Sequence, residues 1–467
     1  MKSSKSLQII SPIDQRVVAE RPLMTEADML SAAKAARTAQ QAWANTAIIE
    51  RAKMCHQAID NMVAKTDILA QEITLMMGRP IAYSAGEIAG LESRARYMID
   101  VAESALVDIK LESSGDFSRF IRRTPLGVVF TIAPWNYPYL TAVNSIVPAL
   151  MAGNAVLLKH SAQTVLCAEH FVDAFNAAGL PQGLFQYLHL DHALTSQLIQ
   201  QNEVDFVSFT GSVPGGAAIE AAAAGSFKGI ALELGGKDPA YVRADANLDY
   251  AVAQVADGAF FNSGQSCCGI ERVYVDRTIY NEFCDRLVSV VQQYRLGDPL
   301  DPNTTMGPMV NVAAAEQVRA QIEQAVSLGA VAKINPDDFS LNRPGTAYLA
   351  PQVLTEVNHS MAVMTEESFG PVIGVMPVDS DQQAIALMND SDFGLTASIW
   401  SENEAKSLAI AECLETGTVF MNRCDFLDPE LAWVGVKQSG RGCALSTLGY
   451  EQLTRPKSFH FKLATGS

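Results

Sequence analysis

The sequence predicts an α/β fold of two parallel-sheet domains with a small, exposed β element beside them. Three observations predict it. Short apolar strand segments alternate with helical ones from residue 126 to 223. A second alternating series runs from about 239 to 440. Two polar, alternating stretches, 111–123 and 454–463, fit neither series. A chain of 467 residues is also too long for one ordinary core, so two or three domains are expected.

Each element follows from local pattern. Residues 25–44 and 50–64 are Ala-rich with helical periodicity, and each opens on a capping or acidic residue. Residues 126–133 form a continuous apolar run ending at Pro134, as a strand buried on both faces would. Helix 141–152, strand 155–159, helix 164–178, strand 184–188, helix 192–200, strand 205–209 and helix 216–223 follow in order. The stretch at His189, Asp191 and His192 reads as a strand-to-helix turn and not as a metal site. The two outlying stretches read as exposed strands whose edges need partners, which points to pairing between subunits.

Composition excludes several classes. The net charge of −17 leaves no basic footprint for nucleic acid. No uninterrupted apolar run is long enough to span a bilayer, and residues 1–11 lack the apolar core of an export signal. The expected location is therefore the cytoplasm, with reduced thiols. Cys55, Cys167, Cys284 and Cys413 fall in helix-like patterns and read as small buried apolar groups. No Cys/His cluster has metal-ligand spacing, so no metal is expected.

Four segments could carry chemistry. Cys267 follows a Gly-containing turn, Gly264-Gln265-Ser266, that can present its sulfur as a nucleophile. Glu233 lies between apolar residues and a Gly pair, where desolvation would tune it as a general base. The segment Phe209-Thr210-Gly211-Ser212-Val213-Pro214-Gly215-Gly216 links a strand to a helix and lets backbone N–H groups approach a phosphate. Asn136, in Pro134-Trp135-Asn136-Tyr137-Pro138, has a side-chain N–H that can serve an oxyanion. Each is also what a structural cysteine, a strand-end acid or an ordinary turn would supply.

The ordered set is more specific. Pro134-Trp-Asn-x-Pro, Gly153-Asn-x-x-x-x-Lys159, Phe209-Thr-Gly-Ser, Glu233-Leu-Gly-Gly-Lys, Gly264-Gln-x-Cys, Glu367-x-Phe-Gly-Pro and Lys437-x-Ser-Gly-x-Gly occur in sequence. This series resembles the aldehyde dehydrogenase superfamily over nearly the whole chain. The resemblance implies a Rossmann-like NAD(P)-binding domain (1–108 and 124–235), a catalytic α/β domain (236–440) and a small β oligomerisation or bridging element (109–123 and 441–467). It implies oxidation of an aldehyde to an acid by a homodimer or homotetramer. Cys267 is then the nucleophile in preference to Cys268, for which no role is assigned. Asn136 and the Cys267 backbone N–H serve the oxyanion, and Glu233 activates the hydrolytic water. Family members that transfer the acyl group to coenzyme A often lack that glutamate. Trp135, Lys159, Gly211, Ser212, Gly216, Glu367 and Phe369 correspond to cofactor contacts.

Departures from the family pattern bear on cofactor and substrate. Ala162 stands where the family commonly has the ribose-binding Glu, so a 2′-phosphate is not repelled and NADP as well as NAD is expected to bind. Succinate-type semialdehyde dehydrogenases carry arginines where this chain has Phe261 and Asn144. An uncharged aliphatic or aromatic aldehyde is therefore expected, between Tyr137, Leu140, Phe261, Phe426, Leu427 and Trp433. The alternative is succinate semialdehyde, with Arg123 or Arg423 as its cation. An inactive binding protein is disfavoured, because Cys267, Glu233, Asn136 and Lys159 are all present.

Overall fold

The computed structural model describes residues 6–112 and 116–463. Residues 1–5 of the N-terminal reading, 113–115 of the first outlying stretch and 464–467 of the C-terminal segment lie outside the described residues. The chain opens with a hairpin, β1 (Ser6–Ile10) and β2 (Val17–Pro22), and four helices follow. Helix α1 (Glu26–Trp43) starts at a reciprocal capping box between Thr25 and Asp28. Then come α2 (Ile48–Val63), α3 (Thr66–Met77) and the 25-residue α4 (Ile81–Ala105).

The outlying strands β3 (Ile109–Lys110) and β4 (Phe117–Pro125) form a three-stranded antiparallel sheet with the C-terminal strand Thr454–Lys462. The two stretches expected to seek partners thus pair with each other along nine residues, Thr454 opposite Pro125 through Lys462 opposite Phe117. Phe120 stacks on Phe459 with centroids 4.5 Å apart. The outer edge of the C-terminal strand has no ladder neighbour among the described residues.

The first parallel sheet contains β5 (Val128–Ala133), β6 (Ala155–His160), β7 (Phe185–Tyr187), β8 (Phe206–Thr210) and β9 (Gly229–Glu233). Its order puts β5 at the centre, with β6 and β7 on one side and β8 and β9 on the other. Gly440–Arg441 closes the far edge antiparallel to β9. Every residue of β5 and β6 is buried, as their apolar runs require. The crossovers are α5 (Pro138–Met151), α6 (Val165–Ala177), α7 (His192–Gln200) and α8 (Val213–Ala223). Asp191 caps α7 by accepting from Leu194 N, while His189 hydrogen-bonds Glu169, so this stretch is the turn the sequence suggested.

The second sheet has seven strands, in the order Val331–Ala332, Gln352–Thr355, Val372–Val378, β11 (Ile270–Asp276), β10 (Asp238–Val242), Thr396–Trp400 and Thr418–Met421. Alternate residues feed cores on its two faces. Ala240, Val242, Val273 and Val275 pack into one, and Tyr241 and Tyr274 into the other. Helix α9 (Leu248–Phe260) leads from β10 to the loop before β11. Cys55, Cys167 and Cys284 are buried. Cys413 is a correction: it is exposed, in the turn after the helix Glu404–Ala411, where the apolar face has already ended.

Among the described residues, no helix is long and apolar enough to cross a membrane.

Candidate active site

A cleft of about 910 Å³ runs from the ends of β5, β6 and β8 to the loop after α9. At one end Ser161, Ala162, Asp191 and His192 line it; at the other, Asn136, Gln265 and Cys267 do. The expected contacts Trp135, Lys159, Gly211, Ser212, Glu367 and Phe369 line it too. Gly216 is not among the lining residues but sits in the first turn of α8 beside them. It is buried one residue further into α8, where a Cβ would lie 2.8 Å from Leu234 Cδ2, and Gly215 is the residue on the wall. The Ser212 hydroxyl caps α8 by accepting from Gly215 N at 3.3 Å.

These features fit a dinucleotide. The α8 N-terminus and the small residues before it offer backbone N–H groups to a pyrophosphate. Lys159 is buried and, among the described residues, its ammonium donates only to the His160 carbonyl, at 3.3 Å, so donors remain for a ribose. Burial lowers its pKa, against the pull of Asp191.

The loop that carries Cys267 is set by backbone geometry. Asn262, Ser263 and Gly264 all take positive φ, at 54°, 57° and 72°, so the chain turns sharply out of α9. Two non-Gly residues there cost of order 1 kcal/mol each, and surrounding bonds must hold them. Ser263 Oγ donates to the Gly307 carbonyl at 2.9 Å. The Gln265 side chain donates to Asn262 O at 3.0 Å and accepts from Val310 N at 2.7 Å. Gly236, just beyond the Glu233 segment, packs so closely that a Cβ would collide with the Cys267 carbonyl oxygen. That contact draws the two motifs together.

Asn136 is buried, and its Nδ2 donates to Gln265 O at 3.3 Å, facing the loop that carries Cys267. A network that sequence reasoning missed fixes it from behind. Arg79 is buried, pairs with buried Glu87, and donates to the Asn136 backbone carbonyl and to Asn262 Oδ1 at 3.2 Å. Glu87 accepts from Tyr139 N at 2.8 Å and Leu140 N at 3.3 Å, serving the free N–H groups that open α5. Two residues eight apart across a proline give no sequence signal for this.

Glu233 ends β9 and lines a small polar side cavity of about 10 Å³, room for about one water. That cavity shares Ile132, Ala133, Thr141 and Thr210 with the main cleft. Burial pushes the Glu233 carboxyl up to about 7, opposed by the Thr210 hydroxyl, which donates to Oε2 at 3.2 Å, and by Arg94. Glu367 is likewise raised to about 7 by burial and by Glu271, while Gly236 N donates to its Oε1 at 2.8 Å. A buried Lys237–Glu271 pair at 2.6 Å holds this loop, because Glu271 also accepts from Ser368 N and Phe369 N, each at 2.8 Å.

None of the expected substrate walls is among the residues that line the main cleft. Tyr137 lies under the Arg79 guanidinium at 4.5 Å, and Phe261 packs on Tyr83 at 5.4 Å. Leu140 is half-buried, Leu427 packs on the first core, Trp433 is buried and Phe426 is exposed beneath Arg423. Cys268 is buried, and its thiol donates to Asp425 Oδ1 at 2.8 Å, which Ser266 Oγ also reaches at 3.0 Å. This ties the entrance segment at Asp425 to the loop that carries Cys267. Of the two suggested cations, Arg123 is paired with Glu451 at 2.6 Å and Arg423 is exposed.

The model of the Aldehyde dehydrogenase family matches residues 1–459. This chain belongs to the aldehyde dehydrogenase family. It is 35% identical over 415 residues to NADP(+) succinate-semialdehyde dehydrogenase 1 of Mycobacterium tuberculosis, covering 88% of this chain and 90% of that one. It is 34% identical over 418 residues to a probable succinate-semialdehyde dehydrogenase of Synechocystis, covering 90% and 91%. Among solved structures, an NADP-dependent glyceraldehyde-3-phosphate dehydrogenase of Bacillus halodurans, complexed with NADP, superposes with a TM-score of 0.93 at 30% identity over 99% of this chain and 97% of that one. Betaine aldehyde dehydrogenase of Staphylococcus aureus, with NAD+, does so at 0.93 and 30% over 100% and 93%. As an aldehyde dehydrogenase, the chain is an NAD(P)-dependent oxidoreductase acting on aldehyde groups.

Proposed function

We propose that Cys267, Asn136 and Glu233 oxidise an aldehyde to a carboxylic acid in two stages. The carrying observation is their placement, with Cys267 and Asn136 on one cleft floor and Glu233, raised to about 7, in the adjoining cavity. The Cys267 thiolate adds to the carbonyl carbon. The Asn136 carboxamide and the Cys267 N–H stabilise the oxyanion that forms. Bound nicotinamide supplies the hydride acceptor, and the acyl group remains on sulfur as a thioester. Glu233 then takes a proton from water, whose oxygen attacks the thioester and releases the acid and the thiolate. A base near neutrality suits that step.

For substrate, we favour a carboxylate-bearing semialdehyde with NADP over an uncharged aldehyde. Relatives at 34–35% identity bear the succinate-semialdehyde name, and Ala162 leaves room at the cleft end for a 2′-phosphate. Succinate semialdehyde, butanal and benzaldehyde, each with NAD and NADP, test the choice by kcat/KM. Cys267→Ala should remove all turnover. Glu233→Ala should keep most of the first-turnover burst and lose steady turnover; unimpaired steady turnover would remove Glu233 from the mechanism. Assembly as a dimer or tetramer through the free edge of the C-terminal strand, where Phe461 is exposed, is proposed with it. A monomer by light scattering at micromolar concentration would overturn that.

A further inference from the structure

One face of α4 is turned toward the active site. Tyr83 packs on Phe261, Glu87 accepts from the first N–H groups of α5, and Gly90 abuts Leu140, whose Cδ1 would lie 3.0 Å from a Cβ there. Arg94 comes next on the same stripe, since residues 83, 87, 90 and 94 recur at helical spacing. Its Nη1 donates to the Leu140 carbonyl at 2.8 Å.

That is the only hydrogen bond Arg94 makes among the described residues, and no carboxylate lies within ion-pair distance. Other buried arginines differ. Arg79 has Glu87, Arg51 has two carbonyls, and Arg272 donates to four carbonyls and the Tyr274 hydroxyl. A guanidinium offers five N–H donors, and a buried one left so incomplete is unfavourable unless something joins it. Arg94 keeps 9% of its surface exposed, so it is not sealed off from solvent. Its positive charge also opposes the rise that burial imposes on the Glu233 carboxyl. Through the Leu140 carbonyl it stands one turn of α5 from Asn144, which lines the small cavity that holds Glu233. Asn144 is buried, with its Oδ1 unpartnered.

We propose that Arg94 is the cation that receives the carboxylate tail of a semialdehyde substrate. This rests on the semialdehyde reading and gives it a residue. The family-type arginine positions are filled by Phe261 and Asn144, and Arg94 brings the charge to the same region from α4 instead. Burial lowers its pKa to about 10, so the guanidinium remains protonated at neutral pH. Pairing with a carboxylate adds two parallel N–H···O bonds and offsets the isolated charge.

The test compares the parent enzyme with Arg94→Gln and Arg94→Lys on succinate semialdehyde and butanal. Succinate is also tried as an unreactive competitor of butanal. The ratio of kcat/KM for succinate semialdehyde over butanal should fall about 100-fold in Arg94→Gln, mostly through KM. Arg94→Lys should fall less, keeping the charge without the fork. Competitive inhibition by succinate should be lost in Arg94→Gln. A parent enzyme that prefers succinate semialdehyde, with the ratio unmoved in both variants, would leave the semialdehyde reading standing and overturn the assignment to Arg94. A parent with no preference and no inhibition by succinate would overturn both. Equal losses on both aldehydes would mark Arg94 as a structural support and overturn its role as the tail's cation.

Discussion

Thr210→Val isolates what sets the basicity of Glu233. The Thr210 hydroxyl donates to Glu233 Oε2 at 3.2 Å and is the largest influence holding that carboxyl down against burial, which has raised it to about 7. Valine keeps the shape and removes the donor. A hydrogen bond to a charged group is worth about 1.5–3 kcal/mol, and one this long belongs at the lower end. At 1.36 kcal/mol per pH unit, the midpoint should move up by about one pH unit, to about 8. The ionised fraction at pH 7 then drops from about a half to about a tenth, so hydrolysis at that pH slows about fivefold. Above about pH 9 the variant and parent should converge. The assay is steady-state kcat across pH, with a stopped-flow burst at pH 7 to show that acylation survives. A midpoint that stays in place or moves down would refute the reasoning. Loss of the burst would place Thr210 in cofactor positioning instead.

Three further outcomes are expected. Arg79→Met leaves Glu87 as an uncompensated buried charge and should cost about 3–5 kcal/mol in urea unfolding, largely recovered in Arg79→Met/Glu87→Met; a loss under about 1 kcal/mol would show that the pair is dispensable. Ala162→Glu puts a carboxylate on the cleft wall and should lower kcat/KM for NADP relative to NAD by about tenfold or more, and an unchanged ratio would place the 2′-phosphate elsewhere. Glu233 and Glu367 sit near 7 in the folded chain against an ordinary 4.5, so between those values the folded state holds protons the unfolded state has released. Their contribution to stability is present below about 4.5 and is lost as pH rises through 7, so Glu233→Gln/Glu367→Gln should flatten the decline in urea midpoint between pH 5 and 8. An identical pH slope in that variant would contradict the raised carboxyls.

The sequence exposed the strands, and the motifs proposed to carry the reaction, for a physical reason: both are local. Strands β5 and β6 are buried on both faces and therefore read as unbroken apolar runs, and α7 spans residues 192–200, the predicted span. The side chains proposed to react sit on short Gly- and Pro-marked turns whose residue types are constrained over a few positions. Helix α4 was illegible because its buried positions include Ser84, Glu87 and Arg94, so no clean apolar stripe marks it. The packing of Gly216 under Leu234 left no mark either, because spacing alone does not tell a glycine under a ligand from one under a side chain. The outlying strands were recognised, but not as each other's partners, since 328 residues separate Arg123 from Glu451 and strand pairing leaves no mark in either segment alone.

These failures share a cause that bears on specificity. The chemistry of thioester formation and hydrolysis needs groups fixed to about an ångström, and turns anchored on sheet ends provide that with local sequence. Substrate choice needs only a charge of the right sign at the far end of the molecule. Any element packed against the site can deliver it. Phe261 and Asn144 argue against a carboxylate only while the cation is sought at those positions. Helix α4 already bears Tyr83 against Phe261 and Arg94 against Leu140, on one stripe. Under the proposal for Arg94, a cation on that helix would set the substrate without disturbing the turns that carry Asn136, Glu233 and Cys267. Exchange of Arg94 and Asn144 as a pair therefore tests more than either alone. Arg94→Gln with Asn144→Arg should restore preference for succinate semialdehyde over butanal if position on α4 or α5 is immaterial to the tail. A double variant that stays as unselective as Arg94→Gln would show that the α4 position itself is required.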